Sequence, residues 1–339
     1  MRCVLVTGCG GFIGSHVCEW LLRDGHEVIG VQAVSRQETL GRTMKNLHAI
    51  STTAERLQGR FTLVRRSVTD PDMLAHCRKV GGDFGTIIHL AARAGVRDSL
   101  SDPLEYTRVN ILGLQTLLLS LPACVEQFVF ASSSSVYGQH EGPAQEACMA
   151  ATPLSPYAMT KMAGELCLRQ HHALTGLSTS LLRFFSVYGP RQRADLVLTK
   201  FTEHLLAGRT LTIYGNGTSR RDYTAVEDIV DGILRSMAYM DCDGRGRCEA
   251  FNLGSGAPVG LHTLLGLLAA ALFPGTPIDA LWEKETVRYV ARQASDPEET
   301  HADGEKSRRL LGYTPLMPLM IGVQRFVDWR RHCEEDGQW

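Results

Sequence analysis

No stretch of this 339-residue chain approaches the roughly 20 consecutive apolar residues that a helix needs to cross a bilayer. A membrane-spanning helix is therefore excluded. An excess of either charge is also missing, since 35 Lys and Arg stand against 36 Asp and Glu for a net of −1. The arginine pairs at 65–66, 220–221 and 308–309 are scattered and form no single basic stripe, so nothing argues for nucleic acid or a membrane surface as partner. No Pro/Ser-rich linker or low-complexity run divides the chain, which predicts two interlocked lobes rather than separate beads. The ten cysteines lack zinc-type spacing, so no metal site is expected. With no signal-peptide pattern and a first strand starting at residue 2, the expectation is a reducing cytoplasm and mostly free, buried thiols, Cys9 among them.

What is present begins at the N-terminus. Residues 2–7 are a short β-rich apolar run, followed by Gly8-Cys9-Gly10-Gly11-Phe12-Ile13-Gly14 and a helical pattern through Trp20, Leu21 and Leu22. Glycines at 8, 11 and 14 allow a tight turn and close backbone approach to a pyrophosphate, which would sit over the free amides of the helix N-terminus. Residues 28–31 supply a second strand, and the whole reads as a dinucleotide-binding signal. The acidic residue expected at the end of that strand is Gln32, which can bond a ribose hydroxyl but does not repel a 2′-phosphate. Arg36 stands close enough in sequence to attract one. NAD is the expected cofactor, and these residues leave NADP open.

Further strands are expected at 27–31, 61–65, 86–89, 127–132 and 178–183, and helices at 12–24, 72–80, 103–121 and 156–175. Alternation of this kind predicts a Rossmann-like, doubly wound parallel α/β sheet, whose ligands lie at the carboxyl ends of the strands. His89, Ser133 and Ser186 each follow a strand, so they can share one crevice. His89 is expected in a supporting role.

The chemistry is carried by Ser133 and the tetrad from Tyr157 to Lys161. A tyrosine with an ordinary pKa of about 10 is a poor base at neutral pH, and an ammonium one helical turn on can lower it. A serine within hydrogen-bonding reach could relay a proton between that phenol and a substrate hydroxyl, as oxidation of an alcohol requires.

Taken with these motifs, His89-Leu90-Ala91-Ala92, Asn110 with Gly113, Ser132 to Gly138, Arg183 to Pro190, Arg221-Asp222-Tyr223 with Asp228, and Asn252 to Gly256 resemble the extended short-chain dehydrogenase/reductase superfamily of nucleotide-sugar epimerases and dehydratases. The resemblance runs nearly end to end. It implies catalysis by Ser133, Tyr157 and Lys161. It implies cofactor contacts from Gly8, Gly11, Phe12, Ile13, Gly14, Gln32, Arg36, Ser67, Val68, Leu90, Ala91, Ala92 and Asn110, with Tyr157 and Lys161 beside them. Ser67 replaces the aspartate that such proteins often carry after the third strand, a second departure on the adenosine side.

Two positions after the catalytic hydroxyl discriminate among reactions. The resembled 4,6-dehydratases carry Asp and Glu there, and UDP-glucuronate decarboxylases a Glu at the second, whereas this chain has Ser134 and Ser135. A hydroxyl is a poor acid or base near pH 7, which leaves 4-epimerisation as the expectation. Within residues 183–196, Ser186 and Arg193 match the positions that hold the sugar carboxylate in UDP-glucuronate 4-epimerases, and Arg97 in Ala94-Gly95-Val96-Arg97 fits that subgroup. Arg193 could instead pair with Asp195. Arg221 is the expected diphosphate ligand with Arg292 as a second, Ser134 contacts the sugar, and Tyr214 and Asn216 are expected near the base. The substrate implied is a UDP-sugar, a uronic acid. A decarboxylase, a neutral UDP-hexose epimerase, an NADPH-using ketoreductase and a non-catalytic NAD(P)-binding regulator are the alternatives.

Residues 1–183 with part of 224–255 are expected to form the cofactor domain, and 184–223 with 256–339 the nucleotide-sugar lobe. Leu112, Leu117, Leu118, Met162 and Leu166 exceed what a sheet-facing stripe needs and predict a homodimer through the helices at 103–121 and 156–175.

Overall fold

The structure, a computed structural model, describes residues 2–33, 37–150, 152–241, 246–275, 287–293 and 295–335. The first half alternates β1 (Cys3–Thr7), α1 (Phe12–Arg23), β2 (Glu27–Val31), α2 (Gln37–Leu57), β3 (Phe61–Val64), α3 (Met73–Gly81) and β4 (Thr86–His89). Then come α4 (Val96–Ser101), α5 (Pro103–Thr107), a π-helical turn (Arg108–Leu112), α6 (Gly113–Leu119), β5 (Gln127–Ser133), α7 (Pro156–Thr175) and β6 (Ser178–Phe184). The chain continues through β7 (Ser186–Tyr188), α8 (Val197–Leu206), β8 (Leu211–Tyr214), β9 (Arg220–Arg221), β10 (Tyr223–Ala225), α9 (Val226–Asp241) and β11 (Cys248–Leu253).

Seven strands form one parallel sheet in the order β11-β6-β5-β4-β1-β2-β3. The order reverses between β1 and β4, and a crevice opens at the carboxyl ends of strands on either side of such a reversal. Period-two alternation sends Val4 and Val6 into the layer with Val17, Leu21 and Ile233, while Leu5 faces Ile29, Leu114 and Phe128 on the other side. The remaining short strands pair off beyond the sheet's carboxyl edge: β7 with β10, β8 with Val287–Val290, and β9 with Val259–Gly260.

All six expected strands are present. Two helical expectations need correcting. The long helix α2 was not anticipated, although Leu47, Ile50 and Ala54 recur at helical spacing and are buried. The helix expected over 103–121 is broken by the π turn that carries Asn110. Leu117 and Leu118 pack into the core and Met162 against the Val136–Phe185 cluster, so of the five residues offered for a dimer face only Leu112 and Leu166 are exposed. Among the described residues no helix is long and apolar enough to cross a membrane.

Candidate active site

The glycine turn is built by contact. Gly8 has φ +73, and a Cβ at Gly14 would lie 2.2 Å from the Gly8 carbonyl oxygen, so a side chain at 14 would force the turn open. Gly11 caps α1 without a side-chain hydrogen bond, which leaves first-turn amides facing the cleft. A cradle of bare amides at a helix N-terminus fits the pyrophosphate of a dinucleotide.

Gln32 holds the glycine turn with its side chain. Its Oε1 accepts from the Gly10 N–H at 2.9 Å and its Nε2 donates to Ala33 O at 3.2 Å. From α2, the buried Asn46 donates to Gly10 O at 2.9 Å. Two amide side chains thus hold the turn from both sides. Ser67 bonds within its own loop, 2.8 Å from Thr69 Oγ1, and Val68 is buried against Gly113. Arg36 lies outside the described residues.

Ser155 caps α7 by accepting from the Ala158 N–H at 3.1 Å, and Pro156 opens the first turn. This start places Tyr157 and Lys161 on one face toward the end of β5, which carries Ser133. Ser133 hydrogen-bonds Tyr157, and Ser135 Oγ donates to Ser133 Oγ at 2.9 Å, giving a chain of three hydroxyls. Asn110 braces the same region: Oδ1 accepts from Arg93 N–H at 2.7 Å, and Nδ2 donates to Arg93 O and to Thr160 Oγ1, each at 3.0 Å.

Electrostatics differ from the sequence expectation in one respect. Burial raises the Tyr157 pKa, and the Ser133 hydrogen bond and the charge of Arg193 pull it partly back. The Lys161 ammonium donates to Ala131 O at 2.6 Å and lies 5.8 Å from the Tyr157 ring centre. Burial pushes the Lys161 ammonium down to about 8. His89 is a buried, neutral support, 2.8 Å from Thr7 Oγ1 and pushed down to about 3 by burial with the Lys161 charge second.

A cleft of about 1630 Å³ joins these groups to the second half of the chain. It is lined by Gly8, Gly11, Phe12, Ile13, Gly14, Leu90 and Ala92 at one end, Ser133, Ser134, Tyr157, Lys161, Ser186 and Arg193 in the middle, and Arg97, Tyr214, Asn216, Arg221 and Arg292 at the other. Gln32, Ser67, Val68, Ala91 and Asn110 are not part of this lining. Arg193 is paired with Asp195 through two bonds of 2.9 and 2.7 Å, as one reading of the sequence allowed.

At the far end Arg97 donates to Asp296 at 2.8 Å and stacks 3.9 Å above the Tyr214 ring. Arg292 pairs with Glu298, and Arg221 donates to the backbone oxygens of Arg220 (2.9 Å) and Glu298 (3.1 Å). Burial lowers the Arg221 pKa, and the charges of Arg292 and Arg97 act in the same direction. Three crowded guanidinia make a site for a polyanion such as a diphosphate. Asn216 lines the same end and closes an Asx turn on Thr218.

The sequence reading missed two buried organisers. Asp222 accepts from the amides of Ser255 (2.7 Å), Gly256 and Ala302 (3.0 Å each), tying β10 to two loops at the cleft. Glu165 on α7 receives both Arg183 Nε (2.9 Å) and Nη2 (2.7 Å), as well as Ser132 Oγ at 2.5 Å, locking β5, β6 and α7 together behind the catalytic groups. Asp222 was visible only as part of a triplet, and nothing local marks Glu165 as the partner of Arg183.

The sequence profile of the NAD dependent epimerase/dehydratase family matches residues 4–254. The chain belongs to this family. Among family members, a UDP-glucuronate 4-epimerase of Thermodesulfobacterium geofontis is 32% identical over 329 residues, covering 96% of this chain and 95% of that protein. The crystal structure of the UDP-glucuronic acid 4-epimerase of Bacillus cereus, in complex with UDP-glucuronic acid and NAD, superposes with a TM-score of 0.81 at 28% identity, covering 97% and 99% of the two chains. A dTDP-glucose 4,6-dehydratase of Streptomyces venezuelae with NAD bound reaches a TM-score of 0.84 at 30% identity, covering 99% and 98%. The fold is thus common to epimerases and dehydratases, and the side chains at the site must discriminate between them.

Proposed function

We propose that the protein is an NAD-dependent 4-epimerase that interconverts UDP-glucuronate and UDP-galacturonate. The observation that carries this reading is the composition of one cleft: Ser133, Tyr157 and Lys161 share it with Arg193, and Ser134 and Ser135 stand beside Ser133 with no carboxyl group. The amides at Gly11–Gly14 hold the pyrophosphate, and the NAD they hold supplies acceptance and return of the C4 hydride. Tyr157 takes the proton from O4 as C4 is oxidised, with Ser133 bridging phenol and sugar oxygen. The 4-keto ring then turns over between its two faces, and Tyr157 returns the same proton to O4. Arg97, Arg221 and Arg292 keep the diphosphate in place during that rotation, and Arg193 with Ser186 holds the carboxylate. A fixed carboxylate also discourages loss of CO₂ from the β-keto acid.

In this reading residues 1–183 with part of 224–255 carry the cofactor and 184–223 with 256–339 the UDP-sugar. The protein works as a homodimer in a reducing cytoplasm. Support for the dimer is the exposure of Leu112 (56%), Leu119 (87%) and Leu166 (59%) on neighbouring helical segments, and buried free Cys9, Cys18 and Cys77 suit a reducing compartment.

Incubation of NAD-loaded protein with UDP-glucuronate, followed by proton NMR and anion-exchange chromatography, tests the activity. Appearance of UDP-galacturonate with no net reduction of NAD is expected. Release of CO₂, or turnover of UDP-glucose with UDP-glucuronate inert, would refute it. Light scattering during size exclusion tests the dimer.

A further inference from the structure

Arg193 and Asp195 sit on the segment between β7 and α8, and that segment is held from several directions. Gln192 is buried, accepting from the Gly189 N–H at 3.2 Å and donating to Thr199 Oγ1 at 2.8 Å. His16 Nε2 on α1 lies 3.0 Å from Pro190 O, and Arg191, in the left-handed region at φ +66, places its guanidinium 2.6 Å from Glu19 of the same helix. The backbone under Arg193 is therefore fixed by contacts to the helix that carries the glycine turn. What that backbone cannot fix is the long side chain itself.

Asp195 does so. It occupies the Nε–Nη2 edge of the guanidinium with two parallel hydrogen bonds, and Nη1 makes no hydrogen bond among the described residues. A guanidinium has a second two-donor edge, Nη1–Nη2, which remains for another carboxylate. We propose that Asp195 is a positioning residue that, by holding one edge of Arg193, presents the other to the carboxylate of the bound uronate. This role rests on the uronate reading above.

Asp195 is suited to staying in place. Burial works against its charge, yet the hydrogen bonds and charge of Arg193, with a backbone bond and Arg42 of α2 behind them, hold its carboxyl below the ordinary value. Arg42 in turn faces Glu203 as well as Asp195 and Arg193. A carboxylate bound by two hydrogen bonds to Arg193, with the Arg42 charge acting in the same direction, would not readily leave the fork to a substrate. Its charge also bears on the reaction. Tyr157 is faced by Ser133, Arg193, the Tyr106 ring edge and, at 5.8 Å, Lys161. Of these Ser133 and Arg193 draw the phenol pKa down, and Asp195 partly neutralises Arg193.

The test uses NAD-loaded Asp195→Asn, Asp195→Glu and Arg193→Ala, each measured for KM and kcat on UDP-glucuronate, for Kd of UDP alone, and for the pH dependence of kcat/KM. Asp195→Asn is expected to raise KM about 10-fold with little change in kcat and none in the Kd of UDP. The break that Tyr157 sets in kcat/KM should move to lower pH, because Arg193 then acts unopposed on Tyr157. Asp195→Glu should recover part of the KM. A KM for Asp195→Asn equal to or below that of the parent would overturn the proposal, since the carboxylate would then be idle or a competitor. A raised KM with an unmoved Tyr157 break would reduce Asp195 to a merely structural loop residue. If Arg193→Ala leaves the KM for UDP-glucuronate unchanged, the uronate reading itself falls. If Arg193→Ala raises it and Asp195→Asn does not, the positioning role falls alone.

Discussion

The Lys161 ammonium donates to the carbonyl oxygen of Ala131, two residues before Ser133 on the same strand, at 2.6 Å. That bond ties α7 to β5 and holds a cation in a buried place where it is costly, which is why its pKa falls to about 8.

The sign of the resulting pH dependence follows. The ammonium is present below about pH 8 and is lost as pH rises through that value, while Tyr157 must lose a proton to act as base. We expect kcat/KM for the epimerisation to rise with pH up to a break near 8 and to level off above it, because further loss of the Tyr157 proton, whose pKa burial raises, is offset by loss of the ammonium. Lys161→Met should lower kcat and remove that break, so that the rise continues to higher pH, and Tyr157→Phe should lower kcat by about 10²–10⁴ while UDP still binds.

Glu165 and Arg183 form a fully buried pair behind the site. Removing one partner strands a charge, so Glu165→Ala should cost about 3–5 kcal/mol in urea unfolding. Replacing both, as Glu165→Leu with Arg183→Met, should cost less, and equal losses for the single and double variants would count against the pair as the cause.

Arg221 is the most confined of the three cations at the far end of the cleft. Arg221→Ala is expected to weaken UDP binding by about 10-fold or more by calorimetry. The difference from the parent should narrow as salt is raised, because part of the attraction is screened.

Gln32 and Asn46 hold opposite sides of Gly10. Gln32→Ala frees one buried amide, and a hydrogen bond of about 1 kcal/mol predicts roughly 5-fold weaker NAD binding by fluorescence titration. Gln32→Asp should favour NAD over NADP more strongly than the parent does, because only a carboxylate repels the 2′-phosphate.

Reading the chain residue by residue was enough to find the strands, the glycine turn and the Ser133, Tyr157 and Lys161 set. Each is a local matter: alternation of apolar residues, glycines where a Cβ would clash, and two side chains one helical turn apart. The Ser134-Ser135 pair could be read in the same way, because it rests on which chemical groups are present and not on where they point.

Tertiary structure decided what those residues touch. Gln32 turned inward to the glycine loop because α2 brought Asn46 to its other side, and α2 escaped notice because its apolar stripe is narrow among polar residues. Asn110 became a brace because the helix expected over 103–121 shifts to a π turn there. Lys161 found a carbonyl oxygen in place of the phenol, and Arg193 met Asp195 with its second edge still free. Burial and hydrogen-bond partners come from segments far apart in the chain, so composition and spacing name the groups while packing sets their charges and aims.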